Sequence, residues 1–249
     1  MKKILEVVKN NLVVIFSNTF FIQLKTADLT AEQWKVFFVQ KYGSVGYFID
    51  FLKNGSELAR PHSSILSEVF LQNYNDEMGI ISGKPRNEYM HETWRLTSLK
   101  EFGLSSKDLH EVALLPSTQM HSDIVATLPK GNDFLEYCGA LLFLEIFVVR
   151  EMTELIKAFE RTMPDQFPKD GYKAENSPNN VHEYWYNHKD HDVDHFKEIK
   201  VGLETYFEEH KGNQEEIEAR IIRGIEKVFI AKMHLYDTAM MTEMLKAKS

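Results

Sequence analysis

The sequence predicts an all-α protein of about eight helices in a single domain spanning residues 1–249. Apolar residues recur at helical spacing along most of the chain, and the alternating patterns that are typical of strands are scarce. Segments containing glycine and proline separate the helical stretches, and neither an interdomain linker nor an internal repeat is evident. We therefore expect one helical bundle around one core.

Composition narrows the class of protein. Hydrophobic residues make up 43% and charged residues 27% of the chain, which is usual for soluble globular proteins. The formal net charge is −8 with no stripe of Lys or Arg, so we expect no nucleic-acid partner. No apolar run is long enough to cross a membrane, and the N-terminal segment lacks a signal-peptide core. The single cysteine, Cys138, excludes an intrachain disulfide, and together these features favour a cytoplasmic protein.

Start and stop signals divide the first part of the chain into four helices. The sequence Thr30-Ala31-Glu32-Gln33 is a capping box, in which two side chains satisfy free backbone N–H groups at a helix start. The predicted helices are an amphipathic one at the N-terminus, one from Thr30 to about Leu52 ended by Asn54-Gly55, one from Pro61 to Met78 with Gly79 as its stop, and one from about Glu88 to Gly103.

The second part is predicted in the same way. Ser105 or Ser106 caps a helix that Pro116 bends or ends. The later expectations are a long apolar helix from Lys130-Gly131-Asn132-Asp133 to about Arg161, a long loop from Met163 to Asn180, a helix to about His210, and a last helix capped by Asn213-Gln214-Glu215-Glu216.

A stripe of metal-binding residue types lies on the helix before His210. His188, Asp192 and His195 are spaced i, i+4 and i+7, which places them on one face of an α-helix. Imidazole and carboxylate together suit iron, manganese or zinc. A helix rich in His, Asp and Lys is more often a solvated face, so both interpretations stay open from these residues alone.

Glu145 is the second candidate because it lies within the apolar segment from Gly139 to Val149. A carboxylate buried there is costly unless it is paired or neutral. A salt bridge, for example to Arg150, and metal ligation are equally good explanations. The third candidates are Glu77 and His91, which end one helix and begin the next across a loop, although each alone is more often a cap or a surface residue.

Taken in order, four segments resemble the heme-oxygenase-like diiron oxidase and oxygenase family, which is related to the TenA, PqqC and CADD proteins. The segments are Asn-x-x-Asp-Glu-x-Gly (73–79), His-x-x-Trp (91–94) with Gly103, Gly-Ala-Leu-x-x-x-Glu (139–145) and His-x-x-x-Asp-x-x-His (188–195). The resemblance runs over nearly the whole chain and implies a single heme-oxygenase-like helical bundle.

The resemblance implies two Fe(II) ions and O₂ as co-substrate, and Mn or a mixed Mn/Fe pair would use the same ligand types. The interval from Glu77 to His91 departs from the family pattern by its length, which leaves Asp76 as the alternative to Glu77. The implied ligands are Glu77, His91, Glu145, His188, Asp192 and His195, with no catalytic residue beyond them.

The function implied by the resemblance is O₂-dependent oxidation of a small substrate, namely an amino acid, an amine or a fatty acid. The reactions are N-oxygenation, C–C cleavage or decarboxylation, and a homodimer and an external electron donor belong to the same expectation. Phe48, Phe143 and Phe147 would wall the substrate space or belong to the core, as such residues more often do. Arg150 would meet a substrate carboxylate or form a structural ion pair.

Three other functions remain open. A 4-aminobenzoate-forming enzyme similar to CADD has a tyrosine directly before the central glutamate, where this chain has Leu144. A thiamin-degrading hydrolase similar to TenA uses a cysteine with a tyrosine one turn later, whereas Cys138 is followed there by Leu142. The third is a metal-free interaction protein on the same scaffold.

Overall fold

The computed structural model describes residues 1–42, 47–111, 113–167 and 180–247, which are almost entirely helical. The helices are α1 (Lys2–Phe16), α2 (Thr19–Leu24), α3 (Ala31–Tyr42), α4 (Phe48–Ala59), α5 (Ser64–Glu77), α6 (His91–Lys100), α7 (Ser106–Glu111), α8 (Pro116–Val125), α9 (Phe134–Thr162), α10 (Glu183–Glu209), α11 (Gln214–Leu235) and α12 (Thr238–Lys246). An antiparallel hairpin of β1 (Ile80–Ile81) and β2 (Lys84–Pro85) connects α5 to α6.

The long helix α9 is the centre of the bundle and packs against both α10 and α11. Every residue from 137 to 144 of α9 is buried, so this part of the helix is enclosed on all sides. Asp133 caps the start of α9 by accepting from the N–H groups of Leu135 and Glu136. A Cβ atom added at Gly139 would lie 1.9 Å from the carbonyl oxygen of Ile221, so α9 and α11 cross at backbone contact.

The remaining helices form the walls of the bundle. Helices α1 and α8 pack on the outer side of α11, α4 pairs with α5, and α3 packs against α12. Helix α5 also contacts α10, which brings its C-terminal end to the middle of the molecule. None of the helices in the described part of the chain is both long and apolar enough to span a membrane.

Several of the turn signals in the sequence are confirmed. The N–H of Thr30 donates to Oε1 of Gln33 at 2.9 Å, and the N–H of Gln33 faces Oγ1 of Thr30 at 3.4 Å, as a capping box requires. Gly79 and Gly103 have φ values of +60° and +68°, which favour glycine where a helix ends. Pro116 begins α8 rather than bending the helix before it.

Two predicted helices were too long. The helix expected from Thr30 to Leu52 is divided between α3 and α4, and Asn54-Gly55 lies inside α4 instead of ending it. Gly55 is there because α4 and α5 lie close together: an added Cβ would come 2.5 Å from the Phe70 ring. The last helix is also divided, because Asp237 caps α12 by accepting from the N–H of Met240. Most of the long loop predicted after Met163, at 168–179, lies outside the described residues.

Candidate metal centre

The six predicted ligands come from four helices that meet inside the bundle. Glu77 is the last residue of α5 and His91 the first of α6, Glu145 is in the middle of α9, and the other three are on α10. The structure brings the six residues together as two sets of three. Within each set, the three ligand atoms lie within 4.8 Å of one another. The first ligand group is Glu77, His91 and His188, and the second ligand group is Glu145, Asp192 and His195.

The long interval between Glu77 and His91 is accommodated by the β1–β2 hairpin. The N–H of Arg86 donates to the carbonyl of Gly79 at 2.9 Å, which closes the base of this turn. A Cβ at Gly79 would come within 2.7 Å of the Arg86 carbonyl oxygen, so no other residue fits there. The chain thereby returns to its starting point, and Nδ1 of His91 lies 3.0 Å from Oε1 of Glu77.

The first ligand group is arranged around the Glu77 carboxylate. Nε2 of His188 lies 3.9 Å from the same Oε1. Nδ1 of His188 lies 2.7 Å from the carbonyl oxygen of Tyr184, so this nitrogen carries the proton and Nε2 presents its lone pair. The imidazole of His91 stacks on Trp94 with ring centroids 5.0 Å apart, which fixes the plane of its ring.

The protonation states of the first ligand group suit metal binding. Burial alone would raise the pKa of Glu77, but the nearby imidazoles of His91 and His188 outweigh it and lower the pKa to about 2. Burial, with His91 close by, lowers the pKa of His188 to about 4. At neutral pH Glu77 is therefore ionised and His188 neutral, which are the forms that ligate a metal.

The second ligand group lies between α9 and α10. Nδ1 of His195 faces Oε2 of Glu145 at 3.6 Å and Oδ1 of Asp192 at 3.9 Å. Its other nitrogen, Nε2, lies 3.1 Å from Oδ2 of Asp76. Asp76 is therefore the hydrogen-bond partner of His195, and Glu77, not Asp76, lies in the first ligand group.

Protons occupy the second ligand group in the absence of a metal. Burial raises the pKa of Glu145, and burial together with the Glu145 charge raises the pKa of Asp192. Burial would lower the pKa of His195, but hydrogen bonds to Asp76 and Glu145 outweigh it and raise the pKa to about 11. No Lys or Arg forms a salt bridge with Glu145 among the described residues, so burial of this carboxylate is offset mainly by His195.

Neither protein-family models nor curated proteins match the sequence, but solved structures match the fold. A CADD-like protein of unknown function from Nostoc punctiforme is 17% identical, with a TM-score of 0.69 over 100% of both chains. A domain of unknown function with a heme oxygenase-like fold from Shewanella denitrificans is 13% identical, with a TM-score of 0.69 over 98% of this chain and 91% of that one. A TenA homolog from Pseudomonas syringae pv. tomato is 10% identical, with a TM-score of 0.66 over 94% and 91%.

The chain has a heme-oxygenase-like fold. This fold confirms the architecture that the four sequence segments predicted. Identities this low establish the fold alone, so what the site does must be argued from its own residues.

The residues at the centre of this heme-oxygenase-like fold suit a pair of divalent metal ions. Three carboxylates and three imidazoles are a ligand set suited to iron or manganese. Nδ1 of His91 is buried and forms no hydrogen bond in the described part of the chain, because its contact with Glu77 is poorly directed. A metal ion at the first ligand group would satisfy that nitrogen.

A cavity of about 190 Å³ opens beside the two ligand groups. Every predicted ligand except His195 lines it, and Leu144, Val148 and Met152 of α9 continue the same wall. Pockets that hold drug-sized molecules span roughly 300–1,000 Å³, so this cavity suits a smaller ligand. A second, more polar pocket on the other side of α10 is lined by His195 and Asp76.

Several expectations about the surroundings need correction. Phe48 lines the cavity, but Phe143 and Phe147 belong to the fully buried core. Arg150 is exposed, with its guanidinium 5.2 Å from the Phe16 ring centroid, and does not line the cavity. Four buried, charged cavity residues were missed, because a single Lys, Arg or Glu in a helix carries no pattern: Lys41, Arg95, Glu151 and Lys232.

Cys138 does not have the properties of a nucleophile. It is fully buried in α9 and is not among the residues that line the cavity. Burial raises the pKa of its thiol, so almost no thiolate forms at neutral pH. These observations disfavour a cysteine hydrolase.

Proposed function

We propose that this protein is a non-heme diiron enzyme that uses O₂ to oxidise a small molecule bound in the cavity beside the ligand groups. The observation that carries the proposal is that two groups of three ligand-type side chains lie beside one cavity, which five of the six residues line. A single metal ion would need only one of these groups, whereas two neighbouring groups are suited to a pair of metal ions. The proposal includes iron as the metal, with manganese as the alternative.

Glu77, His91 and His188 would hold one ion, and Glu145, Asp192 and His195 the other. Two bound irons would supply the electrons for O₂ activation. The protein holds the imidazoles in place: the carbonyl of Tyr184 keeps the proton of His188 at Nδ1, and Asp76 keeps a proton at Nε2 of His195. Buried walls on α9 keep bulk water away from the substrate.

An anaerobic Fe(II) titration tests the proposal. We expect about two irons per chain, followed by rapid O₂ consumption when oxygen is admitted. The variants His188→Ala and Glu145→Ala each remove one ligand from a different group, so O₂ consumption should be lost while helical content measured by circular dichroism stays nearly intact. His191→Ala is the matched control, since this exposed imidazole lies on the same helix and in neither group.

Other outcomes point to the other functions. Full O₂ consumption by either ligand variant would contradict the assignment of the site. Tight binding of Mn(II) but not Fe(II) would indicate the manganese form. No uptake of either metal would indicate an interaction protein on this scaffold.

A homodimer and an external electron donor are also part of the proposal. Light scattering of the purified protein measures the oligomeric state directly. A 4-aminobenzoate-forming reaction is disfavoured by Leu144, which provides no phenol next to Glu145. Detection of 4-aminobenzoate after O₂ exposure of the iron-loaded protein would reverse that judgement.

A further inference from the structure

Four buried charged side chains line the cavity in addition to the predicted metal ligands. They lie on four different helices: Lys41 on α3, Arg95 on α6, Glu151 on α9 and Lys232 on α11. All four residues are at least nine-tenths buried. Because a buried charge is costly without a partner, the pairing of these groups shows which charge is left over.

Glu151 has its partners. Its carboxylate accepts short hydrogen bonds from Nζ of Lys41 and from the hydroxyl of Tyr236. Burial would raise its pKa, but the charges of Lys41 and Lys232 outweigh that effect and lower it. Glu151 is therefore ionised, and its closest cation is Lys41.

Lys232 is left without a hydrogen-bond partner. Its side chain is 7% exposed, and its ammonium forms no hydrogen bond or salt bridge with the described residues. Nζ of Lys232 lies over the Phe147 ring, 5.1 Å from its centroid. Burial lowers the pKa of Lys232 to about 8, so most molecules still carry the charge at neutral pH.

Arg95 adds a second cation with an unused donor. Its guanidinium lies 4.8 Å from the Tyr42 ring centroid and pairs with Glu92, a half-exposed residue one turn earlier. The buried Nη1 of Arg95 has no hydrogen-bond partner among the described residues. Apart from the ligand groups, the cavity wall thus carries three cations against the carboxylates of Glu92 and Glu151.

We propose that Lys232 binds the carboxylate of a small carboxylic acid in this cavity, with Arg95 adding to the positive potential of the wall. An ammonium with free donors inside a cavity is a ready partner for an anion, and an amine substrate would be repelled there. The apolar side chains of Val148 and Met152 follow Glu145 along α9 and would contact the body of the molecule. That the acid is the substrate of the metal centre rests on the proposed function, but the binding site itself does not.

The test uses the metal-free protein and three probes of equal length: hexanoate, hexylamine and 1-hexanol. Isothermal titration calorimetry at pH 7 should show hexanoate binding at least about tenfold more tightly than the other two, as expected when a desolvated charge pair is formed. Lys232→Met should weaken hexanoate binding at least about tenfold, while Lys232→Arg keeps a substantial part of it.

Controls separate this effect from folding and from general charge. Lys227→Met removes a half-exposed lysine of the same helix, which pairs with Glu136, and should leave hexanoate binding unchanged. Lys232→Met should melt no lower than the wild type, because it removes a buried charge that has no close partner. If it does not fold, Lys232→Gln tests the same loss of charge.

Equal affinity for hexanoate and hexylamine, no measurable hexanoate binding, or undiminished binding by a folded Lys232→Met protein would overturn the proposal. Because no metal is present, failure of the iron titration leaves this result unaffected, and failure here leaves the diiron proposal unaffected.

Discussion

The two ligand groups of the candidate centre differ in how the chain holds them. In the first ligand group, Glu77 and His91 are at helix ends that a hairpin brings together. In the second ligand group, Glu145 and Asp192 project from the interior of the two longest helices. The first group therefore depends on a turn, and the second on the packing of the bundle.

The groups also differ in the protons that they hold. At neutral pH Glu77 is ionised and His188 neutral, because their pKa values are about 2 and about 4. In the second group the pKa values of Glu145 and Asp192 are raised, and His195 has a pKa of about 11. Glu77 and His188 therefore need not lose a proton when a metal binds, whereas a metal that binds the second group must displace protons.

The largest effect should come from breaking the packing that holds the second group. Gly139→Ala puts a methyl group against the Ile221 carbonyl, and backbone cannot move aside as a flexible side chain does. We expect the free energy of unfolding, measured by urea denaturation, to fall by about 3 kcal/mol, the upper part of the usual range for overpacking. The second metal ion should also bind more weakly, since Glu145 lies less than two turns along α9.

Gly212→Ala is the control for this change, because an added Cβ there has no atom within 4 Å. Its stability should stay close to that of the wild type. A Gly139→Ala protein of unchanged stability would mean that α9 and α11 do not cross in backbone contact.

A smaller effect is expected from removing the hydrogen-bond partner of His195. Asp76→Ala leaves all six ligands in place but frees the His195 imidazole, whose Nε2 lies 3.1 Å from Asp76. Loss of such a partner weakens metal binding roughly 10–100-fold, and here only the second ion should be affected. Anaerobic titration with Co(II), followed by its absorption bands, distinguishes the two ions.

Asp194→Ala is the matched control, because it removes the same charge from an exposed position on α10. The Asp194 carboxylate pairs with Lys197, which is not one of the predicted ligands. It should leave both affinities unchanged. Loss of the first ion in Asp76→Ala would instead make Asp76 a ligand in place of Glu77.

The difference between the groups also explains what could be predicted from sequence. The stripe of His188, Asp192 and His195 could be predicted because helical spacing alone places the three residues on one face of α10. Glu145 could be predicted as a candidate ligand because a carboxylate buried in an apolar helix is costly unless it has a partner. These residues depend on the regular geometry of helices, which sequence patterns report well.

The remaining features depend on tertiary contacts. Glu77 lies next to His91 because a hairpin connects them. The only sign in the sequence of where this hairpin closes is Gly79. Asp76 contacts a histidine 119 positions away, and Lys232 reaches the cavity from α11 as a single lysine. Neither position has a local pattern, so sequence could not separate them from surface residues. Asn54-Gly55 was misinterpreted as a helix end because Gly55 serves packing, not helix termination.

A pH dependence of metal binding should also differ between the two ions. The protons displaced from the second group are on groups with raised pKa values, so lowering the pH favours the protonated, metal-free form there. Affinity for the second ion should therefore rise with pH, by about tenfold per pH unit for each proton displaced, between pH 6 and pH 8. Glu77 and His188 contribute no such dependence in this range, since both have already lost the relevant protons. Calorimetric Co(II) titrations in two buffers of different ionisation enthalpy count the protons released with each ion. Equal proton release by both ions would contradict the difference between the groups, whereas release confined to the second ion would support it.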